Sequence, residues 1–170
     1  KGDLASMVPI KTPISCHIDV SSLCNYRCSF CFQADVMGMK AVGLKRGFME
    51  LDLFKQIVDQ LAEFPDKIKK IKIGNHGEPT MHPNLPEMIK YARSSDKAEV
   101  IEMFTNGSKL EPELNKKLVE SGLQRVNVSL EGLSDERYLQ VAGVKQDFKK
   151  ISKQFANPRN AAGGSLRQKD

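Results

Sequence analysis

Cysteine spacing is the feature of this chain that most directly indicates chemistry. Cys24, Cys28 and Cys31 form a C-x3-C-x2-C run, and the 170 residues contain only four cysteines in all. A random scatter would give this arrangement in about one sequence per thousand. Three thiolates on one short loop can converge on a soft metal centre. Because a 4Fe–4S cluster normally takes four cysteines, three predict a cluster with one iron open to a small molecule.

The same cysteines also fit a non-catalytic metal site. Structural zinc takes four ligands, and Cys16 or His17 is available as the fourth. Zinc sites usually join two separated ligand pairs, however, and the sequence has no second C-x2-C or H-x3-H pair. Three clustered cysteines and a distant fourth do not suit a disulfide framework. The spacing favours iron–sulfur, and a zinc- or iron-binding fragment without catalysis stays open as the alternative.

The charge and hydropathy of the chain indicate which partners it can bind and in which cellular compartment it occurs. The net charge of +5, together with the basic C-terminal tail, raises DNA binding as an alternative function, but aromatic residues make up only 6% of the chain and its cations are dispersed. This pattern favours a solvated surface over nucleic-acid binding. No apolar run approaches about 18 residues, so no membrane span is predicted. The first residues lack the apolar stretch of a signal peptide, which together with reduced thiols predicts a cytoplasmic protein.

Apolar periodicity predicts alternating strands and helices from residue 14 to about residue 143. Strand segments alternate or run apolar over a few residues, whereas helix segments repeat at i, i+3, i+4 and i+7. The predicted strands cover 14–20, 68–74, 100–105 and 125–130, and the predicted helices cover 49–64, 84–95, 111–121, 135–142 and 147–155. Repeated βα units predict an α/β fold with a parallel sheet, arranged as an open sheet or a barrel.

Polar residues alternate with apolar ones in the first and fourth predicted strands. The polar side carries His17 and Asp19 in the first strand, and Asn127, Ser129 and Glu131 in and just after the fourth. If the apolar sides pack on helices, the polar sides face the inside of the curved sheet. Structural barrels fill that space with Val, Ile and Leu. The polar lining therefore indicates a ligand there, with an exposed sheet edge as the plainer alternative.

The unusual residues follow the ends of successive strands, where ligands collect in parallel βα folds. Each motif alone is weak, because short Gly-containing segments usually form turns. The four segments in chain order are Cys24 to Cys31, Gly74-Asn75-His76-Gly77-Glu78-Pro79-Thr80, Thr105-Asn106-Gly107 and Ser129-Leu130-Glu131-Gly132. Their combination resembles the radical S-adenosylmethionine (radical SAM) superfamily over about residues 14–143.

This resemblance implies a partial TIM-type barrel, here incomplete with about four βα units, and a set of cofactor contacts. Cys24, Cys28 and Cys31 would be the cluster ligands and the catalytic residues, with S-adenosylmethionine (SAM) chelating the remaining iron. The family's Gly-Gly-Glu segment, whose glutamate holds the methionine amino group, matches Gly77 and Glu78, although His76 replaces the first glycine. The other residues assigned to SAM are Phe30 against the adenine, Pro79, Thr105, Asn106, Ser129 and Glu131.

The resemblance also implies the chemistry and the partners. One electron from the reduced cluster would cleave SAM to a 5′-deoxyadenosyl radical, which removes hydrogen from a substrate. The protein would supply orientation and exclusion of solvent. The expected partners are a peptide or small-molecule substrate and an electron donor such as flavodoxin or ferredoxin. Cys16 is expected to be an ordinary buried free cysteine and not a ligand.

A different resemblance occurs at the C-terminal end. Residues 155–168 are similar to a segment of the adenylation domain of NAD-dependent DNA ligases, with Arg159 and Arg167 at that segment's arginine positions. The chain has no K-x-D-G adenylation motif, so ligase activity is not expected. The composition of the tail predicts a mobile terminus. The predicted division is an arm over 1–13, a truncated radical SAM core over 14–155 and a ligase-like or junction tail over 156–170.

Overall fold

The computed structural model describes residues 8–149 and 151, together with the backbone of residues 166–167. Helices and strands alternate along the chain. The strands are β1 (Ser15–Ile18), β2 (Ile68–Ile73), β3 (Ala98–Thr105), β4 (Arg125–Val128) and β5 (Leu166–Arg167). The α-helices are α1 (Val36–Ala41), α2 (Leu51–Gln60), α3 (Leu85–Ser94), α4 (Pro112–Glu120) and α5 (Asp135–Ala142), and 3-10 turns cover Phe32–Ala34, Leu61–Glu63 and Pro79–Met81.

The sheet has the parallel arrangement that the alternation predicts. Within the described residues, strands β1 to β4 lie side by side in chain order and run parallel. Each parallel step requires a crossover, which α2, α3 and α4 provide. The short β5 strand pairs antiparallel with β4. The carboxyl ends of β1 to β4 therefore meet at one edge, with Ile18 opposite Ile73 and Ile73 opposite Met103.

One face of the sheet forms the hydrophobic core with the helices. Ile71 and Ile73 of β2 and Ile101 and Met103 of β3 are fully buried. Helices α2 and α3 place an apolar stripe against them, because their apolar residues recur at three- and four-residue spacing. The buried helix residues are Phe54, Val58, Leu85, Met88, Ile89 and Ala92. Truncating one of the larger of these side chains to alanine costs about 2–5 kcal/mol of stability.

The opposite side of the sheet is polar, as the alternation of the first and fourth strands predicts. Successive strand residues point to opposite sides of the sheet. The residues that alternate with the core residues along each strand therefore share the other surface. We call this surface the polar face; its members are Ser15, His17, Lys70, Lys72, Val100, Glu102, Phe104, Arg125 and Asn127, of which Val100 and Phe104 are apolar. Glu102 is buried there, whereas His17 is exposed.

Some elements differ from the prediction. Helix α1 was not predicted; it is short, contains Gly38, and begins where the Asp35 side chain accepts a 2.8 Å hydrogen bond from the Gly38 amide. Helix α2 ends earlier than expected, because residues 61–63 tighten into a 3-10 turn. The predicted helix over 147–155 and the ligase-like tail fall mostly outside the described residues, as does half of the arm. No helix in the described part is long and apolar enough to span a bilayer.

Candidate active site

The cysteine loop, residues 21–34, leaves β1 and is fixed to the end of α5. The backbone amides of Arg27 and Ser29 donate 2.8 Å hydrogen bonds to the carbonyls of Ala142 and Val141. These are carbonyls that the last turn of a helix leaves unpaired. Helix α5 ends at Gly143, which has a left-handed φ of 65° and lies against Arg27. The loop conformation therefore depends on a helix more than 100 residues away in sequence.

Side chains from the cysteine loop and from the loops that follow the parallel strands surround one open cleft. Cys24, Cys28 and Cys31 are half-buried and share this cleft. The remaining lining residues are Tyr26, Phe30, Gln33, Ala34, Asn75, Gly77, Glu78, Phe104, Thr105, Asn106, Ser129 and Glu131. The structure thus brings together the three cysteines and seven of the eight residues assigned to SAM. Pro79 is the exception, because it is buried beside Gly74 and does not line the cleft.

Glu78 is the buried acid at the base of the cleft, with 1% of its surface exposed. Its Oε1 accepts hydrogen bonds from the Thr80 amide at 3.0 Å and from the hydroxyls of Thr80 and Thr105. Its Oε2 accepts one from the Asn106 amide at 2.7 Å. Among the described residues Oε1 thus has three donors and Oε2 has one, so Oε2 is the less saturated of the two oxygens.

Gly77 permits the close approach of the β2 loop to the cysteine loop. Its φ of 74° lies in the left-handed region, which glycine adopts without strain. A Cβ at this position would collide with the backbone carbonyl of Ser21. The adjoining amide of Glu78 donates a 2.7 Å hydrogen bond to the Leu23 carbonyl. This glycine is thus required by packing between the two loops.

His76, which replaces a glycine common in the family, points away from the cleft. Its Nδ1 lies 2.8 Å from Oδ2 of Asp19, and Oδ1 of Asp19 accepts hydrogen bonds from the amides of Asn75 and His76. The Phe32 ring contacts the His76 ring edge-on, with centroids 4.9 Å apart. The imidazole therefore connects β1, the β2 loop and the cysteine loop without entering the cleft.

Burial raises the pKa of two of the cleft thiols, Cys24 and Cys28. It raises the pKa of Cys24, against a smaller opposing effect of the Tyr26 amide, which lies 3.4 Å from Sγ. Burial, followed by the charge of Glu131, raises the pKa of Cys28 to about 12. The pKa of Glu131 is itself raised by burial. The thiols of Cys24 and Cys28 are therefore protonated at neutral pH until a metal displaces their protons.

Comparison with known proteins identifies the family. A sequence profile described as the Radical SAM superfamily matches residues 18–157. The chain belongs to the radical SAM superfamily. The family implies a 4Fe–4S cluster and SAM, and the resemblance seen in the cysteine spacing is confirmed. The ligase-like similarity of residues 155–168 finds no support among these comparisons.

Curated relatives are enzymes and cofactor-modifying proteins. A tungsten-containing aldehyde ferredoxin oxidoreductase cofactor-modifying protein of Pyrococcus furiosus is 33% identical over 117 residues, covering 69% of this chain and 30% of the relative. A probable GTP 3′,8-cyclase of Thermococcus kodakarensis is 34% identical over 129 residues, covering 75% of this chain and 38% of the relative. The chain therefore spans about a third of the length of these relatives.

Solved radical SAM structures share the fold. BtrN in complex with AdoMet and 2-DOIA matches with a TM-score of 0.63 at 24% identity, over 85% of this chain and 52% of that one. Native anSMEcpe with bound AdoMet matches with a TM-score of 0.63 at 21% identity, over 85% of this chain and 40% of that one. These similarities place the parallel sheet and its helices among partial radical SAM barrels.

The cleft offers three thiols as metal ligands, and thiolates are donors that suit a soft metal centre. In the described part of the chain, no three His, Cys, Asp or Glu side chains are already grouped to hold one metal ion. Neither Cys16 nor His17, the candidate fourth zinc ligands, lines the cleft, and Cys16 packs against the core.

Gln33 is a cleft residue that the sequence did not single out. Its side chain is 8% exposed, and its Oε1 has no hydrogen-bond partner in the described structure. A buried acceptor without a partner is costly unless a ligand supplies the donor. SAM carries an ammonium, an amino group and two hydroxyls, so this orphaned oxygen fits a ligand of that kind. Its burial depends on the tertiary fold, so no local sequence signal reveals it.

Asn25 is a second residue whose role is visible only in the structure. Its Oδ1 accepts a 2.9 Å hydrogen bond from Asn106 Nδ2, and its Nδ2 donates one of 2.8 Å to the Ser108 hydroxyl. The same Asn106 amide group lies 3.8 Å from Cys24 Sγ. Asn25 thus connects the cysteine loop to the end of β3. Its position inside the C-x3-C segment is the only sequence signal that could have marked it.

Proposed function

We propose that this chain is the cofactor-binding part of a radical SAM enzyme. In this proposal Cys24, Cys28 and Cys31 ligate a 4Fe–4S cluster, and the cleft beside them binds SAM. The observation that carries the proposal is the placing of three half-buried thiols and the buried Glu78 carboxylate around one cleft. Three thiolates leave one iron for an outside chelator.

The residues of the cleft have distinct proposed roles. Glu78 Oε2 accepts a charge-assisted hydrogen bond from the SAM ammonium, which fixes the methionine end. Thr105 and Asn106 hold Glu78 in place through the bonds described above and lie beside the ribose and methionine. Phe30 is 69% exposed and free to cover the adenine. Ser129 and Glu131 close the β4 side of the site, whereas Pro79 acts only by positioning Glu78.

When bound, the cluster and SAM would supply one-electron chemistry, the cleavage of SAM to a 5′-deoxyadenosyl radical for hydrogen abstraction from a substrate. This chain's own residues orient SAM and limit the access of water. We propose a peptide or small-molecule substrate and an electron donor of the flavodoxin or ferredoxin kind. The name GTP 3′,8-cyclase refers to a small-molecule substrate of relatives, and one neighbour is described with a precursor peptide. A cytoplasmic location and the ligase-like tail stay predictions.

The first test of this proposal is metal content. After anaerobic reconstitution, we expect about four irons per chain and an absorbing brown protein. Cys28→Ala should abolish the chromophore, because it removes a cluster ligand. Cys16→Ala is the matched control and should keep it, because Cys16 lies outside the cleft. A colourless sample with one zinc per chain would contradict the proposal.

The second test addresses chemistry without requiring the substrate. Reconstituted, reduced protein is incubated with SAM, and 5′-deoxyadenosine is measured by chromatography. The proposal predicts its formation in the wild-type chain and in Cys16→Ala, and its absence in Cys28→Ala. Formation of 5′-deoxyadenosine at equal rates in all three would show that the cleft cysteines are not involved.

A further inference from the structure

The polar face carries a buried acid that is shared between two cations. Glu102 has 3% of its side chain exposed, and its Oε2 lies 3.1 Å from Nη1 of Arg125 and 3.4 Å from Nζ of Lys70. One carboxylate thus faces two positive charges, and this group of three keeps a net positive charge. Burial of a carboxylate without such partners would be strongly unfavourable.

Lys72 differs from the other lysines of the same strand region. Lys67, Lys69 and Lys70 each form an ion pair with an acid of the neighbouring segment, namely Asp96, Glu99 and Glu102. Lys72 is half-buried on the polar face and forms no ion pair within the described residues. Its Nζ lies 6.0 Å from the centroid of the Phe104 ring, at the outer limit of a cation–π contact.

Phe104 connects this unpaired cation to the cleft. The same ring that Lys72 approaches also lines the cleft beside Thr105 and Asn106. In the strand register, Lys72 lies opposite Glu102 of β3 and opposite the exposed His17 of β1. Lys72, Lys70 and Arg125 thus give the polar face three cations around the one buried acid Glu102, next to the proposed SAM site.

We propose that Lys72, supported by Lys70 and Arg125, binds an anionic group of the substrate, either a phosphate or a carboxylate. The inference rests on the proposed function, because it places the substrate on the polar face beside the SAM site. Lysine binds such anions as a point charge with three rotatable donors. The acids of the cleft do not compete for Lys72: Glu78 is bonded to Thr80, Thr105 and Asn106, and Glu131 lies on the β4 side.

The test is a nuclear magnetic resonance titration of the 170-residue chain with inorganic pyrophosphate and, separately, with succinate. We expect saturable shifts of the amides around Lys72 and Phe104. Tighter binding of pyrophosphate assigns a phosphate-bearing substrate, and tighter binding of succinate assigns a carboxylate. Absence of saturable shifts at these amides with both anions, up to tens of millimolar, would overturn the inference.

Variants of two lysines on the same strand separate a specific site from general charge. Lys72→Met should weaken the tighter anion about tenfold or more, because it removes the central charge. Lys69→Met changes the net charge equally, but Lys69 is paired with Glu99 on the opposite side of the strand, so binding should stay within about twofold. Lys72→Arg keeps the charge and should retain binding. Such a result would show that weaker binding by Lys72→Met comes from the lost charge and not from a folding defect. Equal weakening by both methionine variants would overturn the inference.

The outcome is independent of the proposed enzymatic activity, because anion binding is measured without cluster or SAM. A chain that cleaves SAM but does not bind either anion leaves the proposed function standing and overturns this inference. A chain that binds pyrophosphate through Lys72 but takes up no iron supports the anion site and contradicts the proposed function.

Discussion

The backbone amide of Asn106 donates a 2.7 Å hydrogen bond to Oε2 of Glu78 and so joins the ends of β3 and β2 at the base of the cleft. This bond orients the carboxylate of a residue that lines the cleft. The acid is therefore held by the fold before any ligand binds. Such preorganisation lowers the cost of fixing a ligand's charged group.

The Glu78→Gln variant tests this arrangement. We expect SAM affinity of the reconstituted protein to fall at least about tenfold, because a neutral amide replaces a charged acceptor. The unfolding free energy should also fall by about 1–3 kcal/mol, because an amide NH2 would face a backbone or hydroxyl donor. Isothermal titration calorimetry and urea unfolding measure the two effects. Glu113→Gln removes an exposed acid that pairs with Lys117 on α4 and is the matched control; it should leave SAM affinity unchanged and lower stability by less than Glu78→Gln does.

Much of this site can be predicted from the sequence, because its residues occur in short continuous segments that follow the strands. The cysteine spacing and the segments after β2, β3 and β4 are each continuous, and a parallel sheet brings its strand ends to one edge whatever the details. This is why Cys24, Glu78 and Asn106 could be assigned together. Helix α1 was missed, since six residues that include Gly38 give too short a periodic signal.

Other features depend on which side chains meet across the fold. The unpaired oxygen of Gln33 depends on burial by distant residues. Lys72 lies opposite Glu102 in the register, but the Glu102 carboxylate pairs with Lys70 and Arg125 instead. Neither follows from spacing. Pro79 was assigned to the cofactor with its neighbours in the segment after β2, and it is buried in the turn Pro79–Met81 without lining the cleft.

Gln33→Met should have opposite effects on stability and on ligand binding. The variant removes a buried acceptor without a partner and keeps similar side-chain volume, so the empty chain should be equally stable or more stable by up to about 1–3 kcal/mol. SAM affinity should fall, by about tenfold for one lost hydrogen bond. Thermal unfolding and calorimetric titration check the two signs. A merely structural glutamine would give a loss of stability with SAM affinity unchanged.

Gly77→Ala should destabilise the chain and impair cluster retention. The added Cβ meets the Ser21 carbonyl, and the φ of 74° is strained for alanine. We expect a loss of more than about 1 kcal/mol in the unfolding free energy, together with lower iron content after reconstitution. Gly47→Ala is the matched control, because a Cβ there meets nothing within 4 Å and the backbone is not left-handed. Similar stability of the two variants would contradict the packing argument.

The acidity of Cys28 gives a prediction about pH. Its pKa is raised to about 12, mainly by burial, so the metal-free chain holds this thiol protonated at neutral pH. Only the thiolate reacts with iodoacetamide, so alkylation of Cys28 should accelerate about tenfold per pH unit well below that pKa. Because the folded pKa exceeds the usual 9.0, the metal-free chain should also lose stability as the pH rises from about 9 towards 12. Peptide mass spectrometry at several pH values measures the alkylation rate.

The negative charge of Glu131 is the second-largest cause of the raised pKa of Cys28. Removal of that charge should therefore lower the pKa of Cys28. In Glu131→Gln the negative charge beside Cys28 is lost, so the pKa of the thiol should fall and its alkylation at about pH 8 should become faster. Glu136→Gln removes an equal charge from an exposed position on α5 and should leave the rate unchanged. The same change should ease cluster loading at neutral pH, because fewer protons compete with iron for the sulfur. Slower alkylation in Glu131→Gln would mean that Glu131 acts on Cys28 through something other than its charge.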